Sequence, residues 1–160
     1  MFLRRCVYGL CITVTMLIIF GFSSQPAEVT RRTSNIIVTP IENVLKQSLY
    51  DDTNEAKEWK EIKKIIVKIV RKSAHFFLYF LLSIFVFLYI ENSRIRRNLN
   101  FLFSCLFTIM YAYTDEFHQT FVLGRTGRVS DVLIDATGAV LGVIFVSYII
   151  KKNSGSSKYR

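Results

Sequence analysis

The chain has 160 residues, of which 51% are apolar, and it carries a formal net charge of +9. This length suits a single domain, and the composition is more apolar than that of a usual soluble domain, which favours a membrane protein. The basic residues flank apolar runs and form no separate arm or patch interleaved with aromatic side chains, which excludes a typical nucleic-acid-binding protein.

Four apolar runs predict an all-α integral membrane protein with four transmembrane helices. The runs cover residues 6–22, 74–90, 99–115 and 132–150. A bilayer core of about 30 Å needs about 20 helical residues, so the polar residues at the ends of these runs must help to cross it. We expect residues 1–152 to form one membrane domain and residues 153–160 to be a disordered cytoplasmic tail.

Basic residues next to the runs indicate the topology, because Lys and Arg beside spans favour the cytoplasmic side. They are Arg4, Arg5, Arg94, Arg96, Arg97, Lys151 and Lys152. Both termini are therefore predicted in the cytoplasm of a multi-pass protein. Residues 23–73 do not fit this rule, because the topology places them outside the cell although they are also rich in Lys and Arg.

The first run has a second interpretation, as a cleaved signal peptide. Arg4 and Arg5 would form its basic start, and Gly21 and Ser23 lie near a candidate cleavage site. The other three spans keep their orientation in either case. The three cysteines lie in or beside spans, so no disulfide framework is predicted.

Residues 23–73 contain two candidate helix starts. Thr39 with Pro40 and Glu42 has the pattern of a capped first turn, and Asp52 with Glu55 repeats it. In the second helix apolar residues recur at three- and four-residue spacing, and lysines with Arg71 occupy the other faces. The pattern favours an amphipathic helix on the outer lipid surface, with Trp59 at the headgroup boundary, that continues into the second span. The alternative is a helix packed on the loop around Arg125.

Polar residues cluster at the predicted outer boundary, where the second span begins and the third ends. His75 opens the second span. On the third, helical spacing puts Tyr111, Asp115 and either His118 or Gln119 on one face, and we expect Asp115 rather than Glu116 to face the cluster. His118 is predicted to be a surface residue.

The fourth span carries a stripe of Asp131, Asp135, Gly138 and Gly142 at helical spacing. Gly138 and Gly142 form a GxxxG pair, which lets another helix approach closely. The stripe therefore faces protein and carries both aspartates inward. A homodimer through the same glycines is a further prediction.

The loop between the third and fourth spans supplies Gly124 and Gly127 for a tight path and Arg125 and Arg128 as cations. An ionised side chain in the bilayer core costs about 2.5–3.5 kcal/mol even on lenient scales. We therefore expect Arg125 or Arg128 to pair with the aspartates of the third and fourth spans.

Three stretches together resemble the VanZ-like family of small bacterial membrane proteins. They are FSSQP after the first span, KSAHFFLYFLL opening the second, and DEFHQTFVLGRTGRVSDVLIDATGAVLG across the third and fourth. The resemblance implies an envelope context and low-level resistance to teicoplanin-type glycopeptides. Leu123 replaces an expected proline, so a less rigid loop is predicted. By position the resemblance points to His75, Asp115, Glu116, Gln119, Arg125, Asp131 and Asp135.

Three functional hypotheses follow. In the first, Arg125 and Arg128 hold the phosphate or carboxylate of a membrane lipid, cell-wall precursor or lipoglycopeptide, because guanidinium groups suit such anions. In the second, His75 and carboxylates act as general acid and base, or the carboxylates hold a divalent cation. Its candidate catalytic residues are His75, Asp115, Asp131 and Asp135. In the third, the cluster only locks the helices together. We favour the first.

Overall fold

The computed structural model describes the backbone of residues 2–49, 56–91 and 95–156. Every regular element in these residues is an α-helix, which confirms the predicted class. The helices are α1 (Phe2–Ser23), α2 (Ala27–Leu49), α3 (Ala56–Glu91), α4 (Arg97–Gln119) and α5 (Val129–Ser156). Within this part of the chain, three helices are long and apolar enough to cross a membrane: Phe2–Ser23, Glu61–Glu91 and Val129–Asn153.

The central element is α3, which contacts each of the other four helices. Its inward face carries Tyr79, Leu82 and Phe87, all fully buried. Tyr79 and Leu82 pack with Ile19 of α1, whereas Phe87 packs with Val143 of α5. The apolar core therefore continues along both sides of α3.

Close contact between α3 and α5 depends on two glycines. A Cβ atom on Gly138 would lie 2.5 Å from the carbonyl oxygen of Phe76, and one on Gly142 would overlap the carbonyl oxygen of Phe80 and the hydroxyl of Ser83. Only a residue without a side chain fits at these positions. The glycine face is covered by a helix of the same chain, so a dimer would have to use another surface.

The region before the second span differs from the prediction. The helix α2 begins at Ala27, and Pro40 lies inside it. The predicted start at Thr39 is wrong because its hydroxyl donates to the carbonyl of Asn35 at 2.7 Å, within the helix, and caps nothing. The carbonyl of Pro26 instead accepts the first helical hydrogen bond, from the Thr30 amide at 3.1 Å.

The predicted amphipathic segment and the second span form one continuous helix, α3. The predicted capping residues Asp52 and Glu55, and the side chain of Trp59, lie outside the described residues. At the other end of the chain α5 continues to Ser156, so residues 153–156 are helical where disorder was predicted. Residues 157–160 lie outside the described part.

The buried polar residues of α4 lie on a single face. Asn100, Ser104 and Thr108 are fully buried, and the stripe continues through Ala112 to the end of the helix. Asn100 donates to the carboxylate of Glu91 at 2.7 Å, which joins the start of α4 to the end of α3. The two helices therefore run antiparallel, and the end of α4 returns to the level at which α5 begins.

Candidate functional site

The ends of α1 and α4 meet in a buried hydrogen-bond network. Ser23 donates to Oδ2 of Asp115 at 2.6 Å. The amide nitrogen of Gln119 donates to the same carboxylate oxygen and to the Ser23 hydroxyl, each at 3.2 Å. All three side chains are buried. The sequence singled out Asp115 and Gln119, and the structure adds Ser23 as their partner on α1.

Arg125 fastens the loop of residues 120–128 to α1 and α2. Its guanidinium donates to Oε1 of Gln119 at 3.1 Å, to the carbonyl of Phe22 at 2.8 Å and to the hydroxyl of Thr30 at 2.6 Å. Within the described residues neither Arg125 nor Arg128 forms an ion pair with an aspartate. The predicted pairing is therefore wrong, because neutral acceptors on α1, α2 and α4 take the buried guanidinium instead.

A second arginine, Arg71 on α3, donates to the same Gln119 oxygen at 3.0 Å. Two guanidinium groups thus share one acceptor atom. Burial and the neighbouring Arg71 charge lower the pKa of Arg125 to about 10, so Arg125 is still a cation at neutral pH. Arg71 was not predicted as a site residue. The available signal was its position one helical turn before His75, on the same face of α3.

Lys72 supplies the ion pair that the prediction assigned to an arginine. Its ammonium group lies 2.5 Å from Oδ1 of Asp131 and so joins α3 to α5. Ser130 donates to the same carboxylate oxygen at 3.2 Å. Lys72 was also missed, since the sequence placed the start of the second span after it.

Glu116 is buried like Asp115, although helical spacing favoured Asp115 as the residue that faces the cluster and only the resemblance pointed to Glu116. One oxygen of Glu116 accepts a hydrogen bond from the backbone amide of Arg128 at 2.7 Å. The side chain of Arg128 itself is exposed. A Cβ atom on Gly127 would lie 3.0 Å from the Glu116 carbonyl, so this glycine permits the close return of the loop.

His118 packs against α1 and is half-buried, where a surface position was predicted. Its ring stacks on Phe20 with 4.9 Å between ring centroids, and its Nε2 lies 3.3 Å from the hydroxyl of Ser24. Its partners thus lie in the last turn of α1 and in the residue that follows it.

A small cleft opens among α3, α4 and α5, and we refer to it as the polar cleft. Two of its side chains have no hydrogen-bond partner in the described part of the chain: His75, which is 8% exposed, and Asp135, which is 4% exposed. Such groups are costly to bury unless something else satisfies them. The lining consists of Arg71, Lys72, His75, Glu116, Gln119, Asp131, Ile134 and Asp135.

The carboxylates and histidine of the cleft do not form a ready metal site. In residues 2–49, 56–91 and 95–156 no three His, Cys, Asp or Glu side chains are arranged so that they could hold a metal ion. The chemistry available without one is hydrogen bonding to ligand atoms and proton transfer at His75 or a carboxylate.

Comparison with known proteins gives one match. The model of the VanZ/LLP1 family matches residues 7–151, which include every residue of the polar cleft. No curated protein and no solved structure matches the chain. Because the family match extends over nearly the whole sequence, the chain belongs to the VanZ/LLP1 family.

Proposed function

We propose that the chain is a bacterial envelope protein with four membrane spans, whose polar cleft binds the anionic group of a membrane lipid, cell-wall precursor or lipoglycopeptide at the outer leaflet. Both termini are then cytoplasmic, and α2 with the start of α3 lies at the outer lipid surface. The family supports the envelope context. Its association with teicoplanin resistance makes a lipoglycopeptide one candidate ligand.

The surface of α4 supports the fourth span. Its buried stripe holds the polar residues, whereas Leu102, Phe103, Leu106 and Met110 are exposed. A helix of 23 residues is about 34 Å long at 1.5 Å per residue, enough to cross a bilayer core of about 30 Å. Its low overall hydropathy therefore comes from residues that would not meet lipid.

Concentrated positive charge where α3 meets the loop of residues 120–128 supports binding of an anion. Arg71 and Arg125 are held on one oxygen of Gln119, and Lys72 is the next residue along α3. Each guanidinium group has five N–H donors, and Arg71 uses one of them on Gln119. A guanidinium fork suits a phosphate or carboxylate, and the apolar surroundings strengthen the attraction. The shared oxygen is the single observation that carries this proposal.

Removing the Arg71 charge tests the proposal. Arg71→Gln should raise the Kd for phosphatidic acid by about 10- to 150-fold, because one charge-assisted hydrogen bond is worth about 1.5–3 kcal/mol. The measurement is native mass spectrometry of the full chain in detergent. Lys64→Gln is the matched control, since Lys64 lies on the same helix in an exposed pair with Glu61. Equal affinities for wild type and Arg71→Gln would contradict anion binding in the cleft.

The same variants test whether the ligand is a glycopeptide. Cells with equal membrane amounts of wild-type and Arg71→Gln protein are compared for teicoplanin susceptibility. If the ligand is a lipoglycopeptide, wild type and Lys64→Gln lower the teicoplanin susceptibility relative to cells without the protein, and Arg71→Gln does not.

A membrane enzyme is the second candidate, favoured by the unpartnered His75 and Asp135 in the cleft. Both groups could transfer a proton to or from a bound lipid phosphate ester. Product formation from such a lipid by the purified chain, lost in His75→Gln, would identify this activity.

A further inference from the structure

The two sides of the polar cleft carry opposite charges. On one side α3 supplies Arg71, Lys72 and His75, and on the other α4 and α5 supply Glu116, Asp131 and Asp135. The separation follows from the sequence, because the basic residues precede the second span and the acidic residues end α4 and begin α5. A ligand in this cleft touches a basic and an acidic surface at the same time.

Most of these charges have internal partners, but the acidic side keeps unused acceptors. Lys72 neutralises Asp131 at 2.5 Å. Glu116 uses one oxygen on the Arg128 amide and has a second oxygen without a partner in the described residues. Asp135 is 96% buried and has no partner there, although a buried carboxylate strongly favours a cation or a donor beside it.

A purely anionic group would satisfy Arg71 and leave Asp135 and Glu116 facing added negative charge. A group with a phosphate and a primary ammonium satisfies both sides, since the ammonium has three N–H donors for the carboxylates. Its two charges lie a few bonds apart, so both can reach the facing basic and acidic side chains of one small cleft.

We infer that the polar cleft recognises a phosphate linked to a primary amine, as in a phosphoethanolamine headgroup, with the phosphate on Arg71 and the ammonium on Asp135 and Glu116. This inference rests on the proposed function, and it adds the acidic side as the part of the site that selects the ligand. A quaternary ammonium fits less well because it has no N–H to donate.

The test uses the full chain in detergent with phosphatidylethanolamine, phosphatidylcholine and phosphatidylglycerol of identical acyl chains, compared by native mass spectrometry. Wild type should bind phosphatidylethanolamine about tenfold more tightly than the other two. Asp135→Asn should remove this preference, and Asp135→Glu should retain it. Glu61→Gln is the control, because Glu61 is an exposed carboxylate on α3. Thermal denaturation of each variant shows that it is folded.

Each outcome decides between the two claims. Equal binding of the three lipids, or an unchanged lipid preference in folded Asp135→Asn, overturns recognition of the amine. The proposed function still stands in that case if lipid binding depends on Arg71. Absence of Arg71-dependent binding to any of the lipids overturns both. Free phosphoethanolamine and inorganic phosphate distinguish the sources: a soluble ligand competes with the lipid at a similar concentration, whereas a membrane ligand is bound only with its acyl chains.

Discussion

Gln119 is the residue on which the network around the cleft depends most. Its nitrogen donates to Ser23 and Asp115, and its oxygen accepts from Arg71 and Arg125. An amide is suited to this position because it has both donors and acceptors, so it can lie between a carboxylate and two cations. A glutamate would keep the acceptors and lose the donors beside Asp115.

Gln119→Leu should therefore lower the free energy of unfolding by about 3 kcal/mol, since it leaves buried charged groups without partners. The measurement is thermal or denaturant unfolding of the purified chain in detergent. Asn98→Leu is the matched control, because Asn98 is exposed near the start of α4 and should change stability little. A similar loss in both variants would show that Gln119 has no special role.

At the scale of single residues, the sequence predicted which groups gather and missed how they pair. His75, Asp115 and Asp135 were identifiable because charge is rare in apolar runs. The role of Arg125 was not, because its acceptors are backbone and hydroxyl oxygens from segments about 100 residues away. Arg71 was assigned to the lipid surface, since spacing within one helix does not show which face a distant helix covers.

Among the elements, the most predictable feature was that α5 packs closely against another helix, because a GxxxG pair indicates a close neighbour. Which neighbour it meets was not readable from spacing. The start of α2, in contrast, was predicted at the wrong residue. The pattern at Thr39 and Pro40 fits a first turn, yet the helix already extends from Ala27 and passes through Pro40, although a proline inside a helix removes one backbone hydrogen bond and crowds the preceding turn.

Gly138→Ala should destabilise the fold by about 1–3 kcal/mol, because the new methyl group would lie 2.5 Å from the Phe76 carbonyl and push α5 from α3. Gly21→Ala is the control with the opposite expected sign. No atom lies within 4 Å of a Cβ atom there, and alanine favours a helix over glycine by up to about 1 kcal/mol. Melting temperatures in detergent measure both, and a stabilised Gly138→Ala variant would contradict the close-packing account.

The molecule as a whole has its polar groups at two levels. The cleft lies where α1 and α4 end and α5 begins, and the Glu91 and Asn100 pair lies at the opposite end of α4. Between them the buried faces are apolar or carry small hydroxyl groups. This arrangement matches a bundle whose two ends meet water and whose middle is surrounded by lipid. In such a bundle α4 would have to cross the bilayer.

Cysteine labelling tests that requirement directly. In a variant without Cys6, Cys11 and Cys105, a single cysteine is introduced as Thr126→Cys or as Asn98→Cys, both at exposed positions on opposite ends of α4. A membrane-impermeant maleimide should label Thr126→Cys in intact cells and Asn98→Cys only after permeabilisation, because basic residues hold the α3–α4 loop in the cytoplasm. Labelling of both in intact cells would mean that α4 does not cross. The reverse pattern would keep four spans and place the polar cleft on the cytoplasmic side, where an outer-leaflet ligand could not reach it.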